Sequence, residues 1–220
     1  MSKKQLLIQA IIFIIYAFLS LFVFSIVNQG IHLMLAWNAF LAFIPLILIF
    51  LFNRYSQRKY IGILLFLAWL FFYPNSLYMV TDLIYLNQDT FMEDLGMYQG
   101  LLYLQDFKAY LGYFHILLGA LYGLMVAYIS FKYFYHYINN QYEETFYLRL
   151  YYFGLPILVS IAIYIGRFLR FNSWDIFRPW QIIIEFFNDI SIFTLFYILI
   201  FTLLQYIVFG FYILHKKRLI

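Results

Sequence analysis

Asp82, Arg167, Arg170 and Asp175 stand in or beside apolar runs long enough to cross a bilayer, where an ionisable group is costly and usually functional. They fall in two dense clusters. The first runs from Tyr73 through Pro74, Asn75, Tyr78 and Thr81 to Asp82 and Leu83, and the second from Gly166 through Arg167, Arg170, Asn172, Ser173 and Trp174 to Asp175. In the first, Asn75, Tyr78 and Asp82 are spaced i, i+3 and i+7, so a helix carries an amide, a phenol and a carboxylate on one face. Arg167, Arg170 and Trp174 repeat that spacing in the second. Two guanidiniums one turn apart suit a phosphate or carboxylate, each gripping it through two parallel bonds. With Asp82 as base and His115 as proton carrier, the set holds the minimal parts for a transfer reaction on an anionic substrate. The plainer alternative has the arginines snorkelling to lipid headgroups, Asp82 solvated at a helix end and His115 hydrogen-bonded between helices.

Composition sets the elements that must position these residues. At 66% hydrophobic, 25% aromatic and 11% charged, the chain has too little polar surface to cover a soluble globule. Its mean hydropathy is +0.84. Six apolar runs emerge, near 6–27, 33–52, 60–80, 109–131, 150–168 and 190–214, each long enough to cross a core of about 30 Å as a helix. The runs lack the alternation of barrel strands, and a membrane span must satisfy its own backbone hydrogen bonds. The expected fold is all-α: a polytopic bundle of about six spans, forming a single transmembrane domain over residues 1–220. The first run is too long for a signal peptide and is followed by no cleavage site, so it reads as an anchor.

Six crossings put both termini on one side with Lys3, Lys4, Arg54, Arg58, Lys59, Lys132, Arg149, Lys216, Lys217 and Arg218, which is ten of the fourteen basic residues. Lys108, Arg167, Arg170 and Arg178 take the other side. The positive-inside rule then makes both termini cytoplasmic, and both polar clusters face outward. Two outer connections are expected to hold interfacial helices. In one, Phe91, Leu95, Tyr98 and Leu102 recur at helical spacing. In the other, Asn172 serves as N-cap with Asp175 three residues on, and a helix follows through Ile182, Glu185, Phe186 and Asp189. Pro74 removes a backbone donor from the third span and predicts a kink there.

Several function classes are excluded. No Lys/Arg stripe interleaved with aromatics tracks a nucleic-acid backbone, so no nucleic-acid partner is expected. The chain has no cysteine, which excludes disulfides, thiolate chemistry and Cys-ligated metals. There is no HExxH, no His pair at i and i+4, no P-loop, no GxSxG elbow and no dinucleotide fingerprint, so no metal is expected and the cofactor is left unnamed.

At the two clusters the chain resembles the bacterial integral-membrane proteins grouped as domain-of-unknown-function family thirteen sixty-one. The family pattern of Pro-Asn followed by Tyr and Thr-Asp-Leu is matched by Pro74, Asn75, Tyr78, Thr81, Asp82 and Leu83, and its Gly-Arg-Phe-Leu-Arg-x-Asn-Ser-Trp-Asp by Gly166 to Asp175. Ser76 and Leu77 stand where family members commonly carry Ala-Pro. The resemblance implies a multi-pass protein of the bacterial cell membrane and no particular activity. An Ile-, Tyr-, Phe- and Asn-rich composition agrees with an AT-rich bacterial genome.

Three functions fit these residues. The first is a membrane enzyme with Asp82 and His115 as catalytic groups, where Asn75, Tyr78, Arg167, Arg170, Asn172, Trp174 and Asp175 bind a lipid-linked or phosphorylated substrate. A carrier of a small anion or lipid is the second, opposed by the lack of a repeat and of polar residues deep in spans one, two and six. The third is a binding or assembly subunit. A cavity opening to the outer leaflet would favour the enzyme, a continuous polar path the carrier, and satisfied Arg–Asp pairs the subunit.

Overall fold

The computed structural model describes residues 1–88, 91–94, 101–141, 145–171, 175 and 178–216. The first helix, α1 (Lys3–Val27), starts on a capping box: the Gln5 amide donates to Ser2 Oγ, and the Ser2 amide donates to Gln5 Oε1. Asn28 ends it in the left-handed region, at φ 59°. α2 (Ile31–Tyr55) returns, and α3 (Lys59–Phe72) starts the third crossing.

Pro74 acts as expected. It has no N–H to offer the carbonyl one turn back, so α3 stops and α4 (Pro74–Thr81) restarts with proline at its first position. The polar residues that follow serve the interruption: Asn75 Nδ2 donates to the Phe72 carbonyl at 3.1 Å, and Ser76 Oγ to the Tyr73 carbonyl at 2.6 Å. A 3₁₀ segment, η1 (Asp82–Gln88), completes the crossing.

The expected interfacial helix across Phe91 to Leu102 is corrected. Met92–Asp94 (β1) and Leu101–Tyr103 (β2) instead form an antiparallel pair, with Met92 opposite Tyr103. The apolar spacing was helical, but Gly96 and Gly100 lie between the paired residues. Each costs a helix about 1 kcal/mol relative to alanine. The long α5 (Phe107–Gln141), α6 (Thr145–Arg167), the surface helix α7 (Pro179–Asn188) and α8 (Ile192–Lys216) follow. α7 is the second expected interfacial helix and begins on Pro179, while Asn172, the expected N-cap, lies outside the described residues. Trp180, Ile184 and Phe187 on it are exposed, as befits a helix lying at an apolar boundary.

Six helical segments are long and apolar enough to span: Lys3–Val27, Ile31–Tyr55, Lys59–Leu86, Phe107–Gln141, Phe146–Arg167 and Ile192–Gly210. The chain is thus an all-α, multi-pass membrane protein. Leu7, Ile15 and Phe18 on α1 and Leu195, Leu199 and Ile207 on α8 are exposed, which in this setting means facing lipid. Two buried clusters hold the bundle. Trp69, Tyr73, Phe131, Phe134, Tyr151 and Phe209 form one, and Tyr16, Leu35, Leu46, Met79, Ile116 and Val126 the other. Small residues set the helix spacing between α4 and α5. A Cβ added at Gly123 would collide with the Ser76 carbonyl, and one at Gly119 with the Tyr16 hydroxyl.

Candidate functional site

Asp82 caps α4 at the bundle end where α6 finishes, and its side chain is fully buried. Its two carboxylate oxygens are taken by different helices. Arg167 Nη2, from the last residue of α6, donates to Oδ1, and Asn38 Nδ2, from α2, donates to Oδ2 at 2.9 Å. The Arg167 fork is engaged on every side. Nε and Nη2 both donate to Thr81 Oγ1, Nη1 donates to the Tyr85 hydroxyl at 3.3 Å, and the guanidinium carbon lies 4.4 Å from the centre of the Tyr78 ring. Thr81 passes its own proton to the Tyr78 carbonyl. This node joins α2, α4, η1 and α6, and in it the charges of Asp82 and Arg167 neutralise one another.

The two clusters therefore meet, through Arg167 and not Arg170. The expected shared face of Arg167, Arg170 and Trp174 is corrected, because α6 ends at Arg167 and Arg170 takes a left-handed backbone at φ 60°. The Phe171 amide then folds back to the Ile165 carbonyl. Arg170 is exposed, and none of its polar atoms bonds another of the described residues. Asp175 is partly buried, while Asn172 and Trp174 lie outside the described residues. Asn75 spends its amide on the local backbone and does not join Tyr78 and Asp82 at the arginine.

His115 belongs to a second buried set. Its Nε2 lies 2.8 Å from Ser20 Oγ on α1, its Nδ1 lies 3.0 Å from His32 Nδ1 on α2, and its ring stacks on Tyr16. One proton arrangement satisfies the chain. Ser20 gives its proton to the Tyr16 carbonyl, so His115 Nε2–H donates to Ser20 and His32 Nδ1–H donates to His115. The set ties α1, α2 and α5 together.

Sequence reasoning passed over Ser20, Asn38 and Tyr85, and its reading of His32 as part of an outer turn is corrected, since His32 is buried in α2. For Asn38 and Ser20 the signal was an isolated polar side chain inside an apolar run. It likewise missed Ser160, Thr202 and Gln205, which bond one another between α6 and α8, with Gln205 Nε2 also donating to the Pro156 carbonyl at 3.0 Å. The expectation that spans one, two and six lack polar residues at depth is overturned by these three networks. Each of the three joins neighbouring helices.

Among the described residues, no group of three or more His, Cys, Asp or Glu side chains is placed to hold a metal ion. The cavity in the bundle lies elsewhere, between α3, α5 and α6 at their opposite ends, lined by Lys59, Phe66, Trp69, Phe134, Tyr151 and Gly154 among others. No curated protein and no solved structure matches the chain. A family model described as a protein of unknown function, DUF1361, matches residues 37–208, a stretch that takes in Asn38, Asp82, His115, Arg167 and Arg170. The chain belongs to that family.

Proposed function

We propose that the protein is a membrane-embedded binding protein, oriented with both termini in the cytoplasm, that recognises an anionic group at the outer leaflet through Arg170. The observation that carries this reading is the division of labour between the two arginines. Arg167 is fully engaged with Asp82, Thr81, Tyr85 and Tyr78, whereas Arg170, three residues on, is exposed on a left-handed backbone that favours glycine. Strain of that kind tends to persist where the side chain has a task. A phosphate on a lipid or lipid-linked molecule matches an exposed guanidinium beside an interfacial helix.

Catalysis by Asp82 is the less favoured reading. Asp82 is fully buried and its two oxygens already accept from Arg167 and Asn38, which keeps the carboxylate away from a substrate. His115 is committed to Ser20 and His32 instead. The orientation rests on the positive-inside rule.

A photo-crosslinking residue placed at Leu169 tests the proposal. In membranes containing neutral and phosphorylated lipids, it is expected to capture phosphorylated species preferentially. Arg170→Gln should abolish the preference and Arg170→Lys should reduce it, with unfolding midpoints unchanged. Equal capture of neutral and phosphorylated lipids by the unsubstituted protein would remove the proposal.

A further inference from the structure

A cavity of about 700 Å³ opens between α3, α5 and α6 at the end of the bundle opposite Arg170. It is walled by Phe66, Trp69, Phe134, Tyr151 and Leu155, and its volume falls in the range of small-molecule sites. Three further features identify what fits it. On its flank, Ile63, Leu150 and Leu158 line the space and are also exposed, so the opening faces hydrocarbon between α3 and α6. Gly154 leaves that side without a side chain, and a Cβ there would meet only Leu150, at an ordinary 3.6 Å.

The polar features lie toward one end. Lys59 and Ser56 line the cavity at the α2–α3 turn, where Arg54 and Arg58 add positive charge. Trp69 lies ten residues farther along α3, about 15 Å by helical rise. Trp69 is completely buried among Phe66, Phe134 and Tyr151, and its Nε1–H has no acceptor among the described residues. A basic end opening into an aromatic-walled apolar space is the order of groups along an anionic lipid, phosphate and then acyl chain.

We infer that this cavity is a binding site for one acyl chain of an anionic phospholipid, which enters sideways between α3 and α6 and sets its phosphate against Lys59. The site is separate from Arg170 and does not depend on the function proposed above.

The test uses the full-length protein in nanodiscs of phosphatidylcholine with a trace of phosphatidylglycerol carrying a chain diazirine. Saturable labelling of Phe66, Leu155 and their neighbours is expected, displaced by phosphatidylglycerol in preference to phosphatidylcholine. Lys59→Gln should lower that preference about fivefold, the effect of one basic residue near a membrane surface. Gly154→Leu should remove the labelling by filling the cavity, and Ile63→Trp should do so by closing its mouth, which tolerates bulk because it faces lipid. Arg170→Gln should change nothing here. The inference is overturned if labels scatter equally over the lipid-facing residues of α1 and α8, if phosphatidylcholine competes equally, or if labelling survives both Gly154→Leu and Ile63→Trp. Displacement by a free fatty acid as effective as by phosphatidylglycerol would overturn the phospholipid assignment.

Discussion

Asp82 and Arg167 are the residues whose removal should cost most. Truncating one member of a buried ion pair leaves the other charged and unpaired, a loss of about 3–5 kcal/mol. Asp82→Ala and Arg167→Ala should each lower the unfolding midpoint in mixed micelles by that order. Asp82→Leu combined with Arg167→Leu should recover most of it, because no charge is left stranded. Single variants as stable as the parent would show that the pair holds nothing together. Arg170 is predicted to behave in the opposite way. Its left-handed backbone costs an L-residue roughly 1–2 kcal/mol, so Arg170→Gly should equal or exceed the parent in stability while losing capture of phosphorylated lipid at Leu169. A clear destabilisation by glycine would mean that the arginine side chain is itself a structural contact. The sequence presented both arginines as equivalent, one turn apart. Only the end of α6 between them separates a structural role from a free one.

Among the elements, α4 and α5 approach closely at Gly123. Gly123 faces the Ser76 carbonyl and the Met79 side chain, so even a methyl group forces the helices apart. Gly123→Ala is expected to cost about 1–3 kcal/mol, typical of overpacking. Gly30→Ala makes the control, since a Cβ there meets nothing within 4 Å. Equal unfolding midpoints for the two variants would rule out close α4–α5 packing as a source of stability. Pro74 was legible as a break because one missing N–H has one consequence. The segment from Phe91 to Leu102 was not, because four apolar residues at helical spacing outvoted Gly96 and Gly100, and the pairing of Met92–Asp94 with Leu101–Tyr103 is a non-local contact.

For the whole molecule, the ten-to-four division of basic residues predicts the orientation. The chain has no native cysteine, so a single introduced one reports without background. In intact cells, Gln57→Cys should resist an impermeant maleimide and Gln105→Cys should react. The reverse pattern would invert the protein, and with it the leaflet that Arg170 faces. The membrane class, the six spans and the break at Pro74 were determined by the sequence alone, because each follows from summed hydropathy or from the covalent chemistry of one residue. So was the suspicion that Asp82 and an arginine meet, since neither charge is tolerable alone beside hydrocarbon. Which arginine, and with Asn38, Tyr85 and Thr81 as company, was decided by the tertiary structure. The same holds for the meeting of His32 with His115, and for the cavity beside Trp69. Those contacts join residues tens of positions apart on different helices. Helical periodicity says which face a side chain shares, but the neighbour that face meets depends on how the helices pack.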